Sequence, residues 1–250
     1  MGTAETAADI LIPVVNRYSR TRGLLEGIYR HTDVPFHIYV IDNGSTDETV
    51  DLDKIYTRDI TIVRNRQNRG WSGGINQGLE LGRNPYVVFM NNDVEVSRNW
   101  LGNLISFLDT HPRIGAVGPL DSHPGDWQCV DNIREKIVSQ IPHFLTEDLH
   151  ERNRILQYHF HRAGILIEDS LGFFCVTLKR RTVHAVGCLD ENSAGSGGGD
   201  YCRRLRKAGY VLGLSLDTYV RRHANGAAEI ACDASPRGPT LKKNASRLKA

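Results

Sequence analysis

The sequence predicts an α/β fold with a mostly parallel central sheet that is flanked by helices and followed by a smaller second region. Strand and helix signals alternate over roughly the first 120 residues, which is the pattern of consecutive βα units. The strands are continuous apolar runs, such as residues 10–15 and 86–90, and these are typical of strands covered on both faces. We therefore expect parallel core strands between two layers of helices.

The periodicity of hydrophobic residues and the residues that flank each segment predict the individual strands and helices. Strands are predicted at residues 10–15, 36–41, 60–63, 86–90 and 114–117, and helices at 19–31, from 46 or 47 onward, at 71–81 and at 100–110. Ser45 and Glu48 have the spacing of a capping box, in which each side chain satisfies a backbone donor of the other residue. The second region contains a polar helix at 147–162, a strand at 173–178, helices at 180–186 and 200–208, and strands at 210–214 and 218–221.

Composition indicates a globular protein without a strong charge signal. Hydrophobic residues make up 40% and charged residues 24% of the chain, and the net charge is +2, so nucleic acid is not an expected partner. The five cysteines form no CxxC pair, which argues against structural zinc and fits a reducing cytosol. The sequence shows no signal pattern and no apolar run of membrane-spanning length, so we expect a cytoplasmic protein.

The apolar run at residues 86–90 ends in Asn91, Asn92 and Asp93. Open α/β sheets bind ligands at the carboxyl ends of their strands, and hard divalent cations prefer oxygen ligands such as carboxylates and phosphates. The segment therefore predicts a metal or ligand site. The alternative is a simple turn before a helix that has Ser97 as its N-cap.

Two further segments predict contacts with a ligand. Asp42 closes the strand at 36–41, where a carboxylate can accept a hydrogen bond from a base or a ribose hydroxyl; a local Asx-turn is the alternative. Residues 68–76 are rich in glycine and lead into a helix, so a ligand can approach the backbone and an anion can bind the helix N-terminus. The segment is neither a P-loop nor a GxGxxG motif, and a packing role is the alternative for Trp71.

The order of these motifs resembles that of family 2 of the inverting glycosyltransferases, which have the GT-A fold, a Rossmann-like architecture, and use nucleotide-activated sugars. The resemblance extends over most of residues 9–225. It rests on residues 10–16, 41–47 and 68–76, on 91–93 at the position of the family's DxD motif, on 172–175 and 187–191, and on Val220 and His223. It implies transfer of a sugar to a hydroxyl acceptor with inversion at the anomeric carbon.

The resemblance also implies the roles of individual residues. Asp93 and His223 would hold Mn²⁺ or Mg²⁺, which neutralises the leaving diphosphate. The residues expected to bind the nucleotide sugar are Pro13, Val15, Asn16, Asp42, Asn43, Gly44, Asn68, Gly70, Trp71, Gly74, Asn76, Asn91 and Asn92. The donor would be UDP-, dTDP- or GDP-linked, and the acceptor a glycan, a glycolipid or another hydroxyl compound, as in polysaccharide biosynthesis.

The general base is where the chain departs from the family pattern. Alignment on the following helix puts the family's usual acidic pair at Gly197 and Gly198. Asp200 is the nearest acidic residue and a candidate base, although Asp is also favoured there as a helix cap. Glu191 and Asp190, across a glycine-rich loop that suits a lid, are the alternatives.

One other function fits part of the sequence, and two more are disfavoured by missing motifs. A catalytically impaired nucleotide-sugar-binding or scaffold protein of the same fold would explain the missing acids at 197 and 198. A sugar-phosphate nucleotidyltransferase would need a glycine-rich basic loop after the first strand, and residues 16–20 contain no glycine. An NAD-dependent dehydrogenase is disfavoured because its dinucleotide fingerprint is missing.

One domain is expected over residues 1–232, with a nucleotide-binding part at about 9–118 and an acceptor-side part at about 119–225. Residues 233–250 are predicted to form a flexible basic tail, which could touch anionic lipid at the inner membrane surface. A homodimer is compatible with the sequence.

Two parts of the sequence bear on metal binding, the segment at 91–93 and the histidines of the second region. Asn91 stands where the family has an acid, which leaves one carboxylate for the cation, although donor phosphates also supply oxygens. The second region carries His143, His150, His159 and His161. A solvated helix face is expected for these histidines, with a metal cluster as the alternative.

Overall fold

The fold is given by a computed structural model, which describes residues 6–123, 128–130, 141, 146–168, 170–193, 197–223 and 247–248. Its strands are β1 (Ala8–Val14), β2 (Phe36–Asp42), β3 (Ile60–Arg64), β4 (Tyr86–Met90), β5 (Val94–Val96), β6 (Ile114–Leu120), β7 (Gly164–Ile167), β8 (Cys175–Lys179), β9 (Val211–Arg222) and β10 (Arg247–Leu248). Its helices are α1 (Tyr18–His31), α2 (Leu52–Ile55), α3 (Gly70–Leu81), α4 (Trp100–Thr110), α5 (Leu149–Phe160), α6 (Arg180–Val186) and α7 (Gly198–Lys207), and a 3₁₀ helix covers Glu48–Asp51.

The strands form one sheet in the order β10-β7-β9-β6-β8-β4-β1-β2-β3, and β5 pairs with β9 off this path. β1 pairs in parallel with β2 and β4, and β2 pairs in parallel with β3. The parallel pairing predicted for these strands is confirmed. Because parallel strands point the same way, the carboxyl ends of β1, β2 and β4 meet at one edge of the sheet.

The other half of the sheet is mixed and differs from the mostly parallel sheet that we expect. β8 lies antiparallel between β4 and β6, while β9 is parallel to β6 and antiparallel to β5 and β7. Parallel pairing needs a crossover segment after each strand, and the alternation of strands and helices that provides it ends near β6. The prediction of an α/β sheet flanked by helices is confirmed.

β9 is one strand where the sequence predicts two, and the short strands β5 and β7 are not predicted at all. The polar Ser215 and Asp217 interrupt the apolar run of β9 and suggest a loop. In the structure the Ser215 hydroxyl donates to the Asp217 carboxylate over 2.5 Å. The register against β6 shifts between Gly118 and Leu120, so the polar residues lie at an irregularity in the pairing of β9 with β6.

Alternate residues of the central strands belong to two hydrophobic layers. Ile10 and Ile12 of β1 share a buried cluster with residues of α1 and α4, whereas Leu11 shares one with residues of α3, α5, α6 and α7. All of these β1 side chains are fully buried. Helices therefore cover the strands on both faces, as the continuous apolar runs predict.

The capping box predicted for Ser45 and Glu48 is wrong. Asp47 is the N-cap of the 3₁₀ helix, and its carboxylate accepts a hydrogen bond from the Thr49 amide over 3.0 Å. The Ser45 hydroxyl instead accepts a hydrogen bond from the Asn16 amide over 2.7 Å. A tertiary partner in the loop after β1 thus engages the side chain that local spacing assigns to a helix.

Ser97 is not an N-cap, because β5 follows Asp93 and α4 begins only after Asn99. The predicted tail at 233–250 lies outside the described residues except for β10, which pairs antiparallel with β7. None of the helices in the described part of the chain is both long and apolar enough to cross a membrane.

A buried ion pair links β1 to α6. Asp9 is 1% exposed, and its carboxylate accepts hydrogen bonds from the Arg180 guanidinium over 2.5 Å and from the backbone and side-chain amides of Asn84 over 2.9 and 2.8 Å. Both carboxylate oxygens are therefore satisfied. A buried ion pair with complete hydrogen bonding is strongly destabilised when one partner is removed.

Replacing Arg180 by Leu should lower the free energy of unfolding by about 3–5 kcal/mol, because the Asp9 carboxylate would stay buried without its cation. Urea denaturation measures this loss. The matched control is Arg181→Leu, at the exposed neighbouring position of the same helix, which should change the stability by less than about 0.5 kcal/mol. Equal losses in the two variants would contradict the role of the pair.

Candidate functional site

The loops that follow β1 and β2 are joined by hydrogen bonds. The side-chain oxygen of Asn16 accepts from the Thr46 amide over 2.7 Å, and the Asn16 amide donates to Ser45. Asp42 is 2% exposed, and its Oδ1 accepts from the Ser45 amide over 2.8 Å. A local turn around Asp42 is therefore present, and it uses one carboxylate oxygen. Val15 lies half-buried directly after β1.

Asn43 ties the end of β2 to the start of α3. Its side-chain nitrogen donates to the Gly70 carbonyl over 3.0 Å, and its oxygen accepts from the Asn65 side chain over 2.9 Å. The Asn68 side chain accepts from the Gly70 amide over 2.8 Å. Gly44 and Gly70 have φ values of 85° and 73°, a region that favours glycine. These residues shape the backbone beside the carboxyl ends of β1 and β2, a region that we call the rim. Their contacts with a nucleotide stay predictions.

The first turn of α3 is packed closely on β1. A Cβ on Gly74 would lie 2.8 Å from Cβ of Pro13, so this glycine permits close approach of the helix. The Trp71 ring contacts those of Phe89 and Phe173, with centroid distances of 6.3 and 6.1 Å. Its indole nitrogen is buried and finds no hydrogen-bond partner among the described residues. The Trp71 ring thus packs in an aromatic cluster, and its contact with a donor stays a prediction.

Asn76 joins α3 to the segment between α6 and α7. Its side-chain nitrogen donates to the Leu189 carbonyl over 2.9 Å and to Oε1 of Glu191 over 3.0 Å. Its oxygen accepts from the Leu189 amide over 2.9 Å. Asn76 is 7% exposed, so its amide group serves to bring the two parts of the chain together.

The polar residues after β4 have different partners. The Asn91 amide donates to the Phe174 carbonyl over 2.8 Å, which extends the pairing of β4 with β8. The Asn92 side chain donates to the Thr21 hydroxyl of α1 over 3.0 Å. Asp93 is 4% exposed, and its Oδ1 is buried without a hydrogen-bond partner in the part of the chain that the structure describes. Such a carboxylate is unfavourable unless a ligand or a cation joins it.

His223 lies opposite Asp93. Its amide donates to the Asp93 carbonyl over 2.9 Å, and the pairing continues with Glu95 opposite Arg221, so the side chains of Glu95, Arg221 and His223 share one face. Nε2 of His223 is 3.7 Å from Oε2 of Glu95, and the Arg221 guanidinium is 2.9 Å from the same carboxylate oxygen. His223 thus faces Glu95 in this structure.

The donor set around Asp93 is small. Among the described residues, no group of three or more His, Cys, Asp and Glu side chains is placed to hold a metal ion. One carboxylate and one imidazole fit a hard divalent cation when oxygens of water or of a bound phosphate complete its coordination. A cation at Asp93 and His223 stays a prediction.

The three acids predicted near the base position have different surroundings. Both oxygens of Asp200 are held by arginines of α7, over 2.8 and 3.2 Å. Asp190 is exposed, and its Oδ1 accepts from the Asn192 amide over 2.9 Å. Glu191 accepts a hydrogen bond from Asn76 through Oε1 alone.

The glycines at the start of α7 are required by the backbone and by packing. Gly197 has φ 65°. A Cβ on Gly198 would lie 2.8 Å from the Phe173 ring, whereas a Cβ on Gly199 would have no heavy atom within 4 Å. Residues with a side chain at 197 and 198 would therefore need a rearranged backbone or a displaced Phe173.

The histidines of the second region do not form a metal site among the described residues. The His150 ring lies 4.3 Å from that of His31, whose pKa is lowered mainly by burial. His159 and His161 are exposed, as a solvated face predicts. His143 lies outside the described residues.

Some residues that shape the site carry no sequence signal. Thr21 holds Asn92, Asn65 holds Asn43, and Glu95 lies beside His223. Each belongs to an ordinary helix, loop or strand, and only the fold brings it to the rim. Of Thr21, Asn65 and Glu95, Glu95 alone lies within two positions of Asp93 in the sequence.

The geometry brings a helix start, two aspartate-bearing strand ends and a distant acidic segment to one edge of the sheet. The sequence profile described as Glycosyl transferase family 2 matches residues 9–167, more than half of the chain. The chain belongs to this family. The matched part includes Asp42, Asn76 and Asp93, whereas Glu191 and His223 lie beyond it.

Curated relatives of this family 2 chain are named as glycosyltransferases. The chain is 33% identical over 176 residues to the uncharacterized glycosyltransferase YibD of Escherichia coli (strain K12), covering 66% of this chain and 51% of that protein. It is 26% identical over 107 residues to a PGL/p-HBAD biosynthesis glycosyltransferase of Mycobacterium bovis (strain BCG / Pasteur 1173P2), covering 41% and 42%. The chain thus spans about half or less of the length of these relatives.

Solved structures show the same fold. The mannosyltransferase PcManGT from Pyrobaculum calidifontis, in complex with GDP-Man and Mn²⁺, has a TM-score of 0.65 at 18% identity, covering 89% of this chain and 58% of that chain. GalNAc-T7 with UDP, GalNAc and Mn²⁺ has a TM-score of 0.63 at 13% identity, covering 88% and 44%. The family 2 chain therefore has the GT-A fold that its motifs imply.

Gly198→Ala should destabilise the protein by about 1–3 kcal/mol, because the new methyl group would overlap the Phe173 ring. Gly199→Ala, at the open neighbouring position, is the matched control and should be neutral or stabilise by up to about 1 kcal/mol through helix propensity. Chemical denaturation of both variants measures the difference. Equal stability of the two variants would refute the contact with Phe173 as the reason for glycine.

Proposed function

We propose that the protein is a metal-dependent inverting glycosyltransferase, which moves a sugar from a nucleotide-sugar donor to a hydroxyl acceptor. The observation that carries this proposal is the carboxylate of Asp93, which is buried, has an oxygen without a described partner, and lies at the carboxyl end of β4 opposite His223. Membership of family 2 and the GT-A fold support sugar transfer as the reaction.

The donor nucleotide would lie across the joined ends of β1 and β2. This rim is pre-organised, because the bonds of Asn16, Ser45 and Asn43 hold its loops together. A rim that is already ordered loses little conformational entropy on binding. UDP-, dTDP- and GDP-linked sugars are the candidate donors. Two of the similar structures hold GDP-Man, or UDP with GalNAc.

Asp93 and His223 would hold Mn²⁺ or Mg²⁺ beside the diphosphate of the donor. When bound, the cation supplies positive charge that stabilises the negative charge developing on the leaving phosphate oxygen. Asp93 would bind the cation through its carboxylate, and His223 would bind it as neutral imidazole or donate a hydrogen bond to the phosphate. The Asn92 side chain, held by Thr21, would steady the loop that carries Asp93.

Inversion requires the acceptor to attack from the side opposite the leaving group. Asp93 precedes β5, which packs against α1, whereas Glu191 is bonded to α3 on the other face of the sheet. This separation supports a donor sugar that lies between a cation on one side and an acceptor on the other. The acceptor would be a hydroxyl of a glycan, a glycolipid or a similar compound.

Four further expectations stay predictions from the sequence. They are polysaccharide biosynthesis, a cytoplasmic location, contact with a membrane surface and a homodimer.

Asp93→Ala should abolish the stabilisation that donor and Mn²⁺ give together. At a hundredfold excess over Kd, a ligand adds about 2.7 kcal/mol to the stability of the folded state, which is roughly 5–10 °C in the unfolding midpoint of a protein of this size. Thermal unfolding with GDP-mannose, with UDP-GalNAc and with Mn²⁺ alone measures the shift. Asp51→Asn, at a side chain of the 3₁₀ helix that is 47% exposed, is the control and should retain it.

The variant also separates a ligand site from a structural one. Because Asp93 has a buried oxygen without a described partner, its removal should leave the ligand-free unfolding midpoint unchanged or higher. A lower unfolding midpoint, or a stabilisation by the donor that persists in Asp93→Ala, would rule out a metal site at Asp93. Tight donor binding by the wild-type protein without any turnover would favour the scaffold function.

A further inference from the structure

We propose that Glu191 is the general base of the reaction, acting on the acceptor hydroxyl through its Oε2 atom. The inference rests on the proposed function and names the residue that removes the acceptor proton. Of the three candidate carboxylates near the start of α7, Glu191 is the one that a hydrogen bond from α3 orients and that keeps an oxygen outside any described hydrogen bond.

Positions 197 and 198 cannot supply the base in this chain. Both are glycine, and the left-handed φ of Gly197 and the Phe173 ring against Gly198 keep them so. Phe173 is itself fixed, because its ring lies 6.2 Å from Phe89 and 6.0 Å from Tyr201, measured between centroids. The base must therefore come from another segment.

Asp200 is held as a structural residue. Its Oδ2 accepts from Arg204 over 2.8 Å, and its Oδ1 is 3.2 Å from the Arg203 guanidinium. Arg204 also donates to the Val186 carbonyl over 3.0 Å and lies over the Tyr201 ring. Asp200 thus helps to lock α7 against the end of α6, and neither of its oxygens is free for an acceptor.

Glu191 is the carboxylate that the fold presents at the rim. Its Oε1 is oriented by the Asn76 amide over 3.0 Å. Its Oε2 forms an ion pair with the Arg69 guanidinium at 3.7 Å, a separation that is beyond a hydrogen bond. A Cβ on Gly73 would lie 3.1 Å from this oxygen, so the glycine gives it room above α3. With 41% of its side chain exposed, Glu191 is both oriented and accessible.

The chemical step balances with Glu191 as proton acceptor. The acceptor hydroxyl transfers its proton to Oε2 while its oxygen forms a bond to the anomeric carbon. The bond between that carbon and the donor phosphate oxygen breaks, and its electron pair leaves with the nucleoside diphosphate. A carboxylate on the side opposite Asp93 is where an inverting displacement needs its base.

The test compares Glu191→Gln with a matched control on the same protein. A glutamine retains an oxygen that accepts from Asn76 but has no carboxylate to take a proton, so the variant removes the base and keeps the contact. Glu80→Gln, an exposed position on α3, is the control. Isothermal titration with Mn²⁺ and GDP-mannose, and in parallel UDP-GalNAc, gives Kd, and nucleotide release with water as acceptor gives kcat.

Glu191→Gln should lower kcat by about 10²–10⁴-fold, the usual contribution of a general base, with Kd for the donor unchanged. Glu80→Gln should match the wild-type protein in both. Asp200→Asn should lower the unfolding midpoint and reduce kcat less than Glu191→Gln does. If the wild-type enzyme is active and Glu191→Gln retains its kcat, or loses less of its kcat than Asp200→Asn does, the assignment of Glu191 as the base is overturned. The proposed function then still stands. A wild-type protein that binds donor without turnover overturns the proposed function and this assignment together.

Discussion

The geometry of the site depends on the hydrogen bonds of one buried amide, that of Asn76. It bonds in both directions to the backbone of Leu189, 113 residues further along the chain. A buried amide that lost these partners would leave its own groups and those of Leu189 unsatisfied. Because α3 also lies directly on β1 through Gly74 and Pro13, Asn76 places Glu191 relative to the central strands.

Two buried aspartates show how the chain separates a structural carboxylate from a candidate ligand site. Asp9 accepts from Arg180 and twice from Asn84, so its burial is compensated at the amino end of β1. Asp93 is nearly as buried, yet its Oδ1 has no partner among the described residues. The first carboxylate is compensated within the fold itself, and the second is favourable only when something binds.

The first half of the fold could be predicted because its signals are local. β1 and β4 are apolar runs that are buried along their whole length, and an apolar run of this kind predicts a strand covered on both faces. β5 and β7 could not be predicted, because such short strands are defined by their pairing with β9. The same applies to β9 itself, where an irregular pairing and the Ser215–Asp217 contact keep polar residues inside one strand.

The sequence by itself determined the family, the order of the motifs and the set of acids from which metal ligand and base are chosen, because these depend on residue type and spacing along the chain. Only the tertiary structure decided what each acid is bonded to. Asp200 is held by two arginines, Asp93 has an oxygen without a described partner, and Glu191 is oriented through one oxygen. The physical reason is that a carboxylate's chemistry depends on its neighbours in space, and for Asp93 and Glu191 these neighbours are distant in sequence.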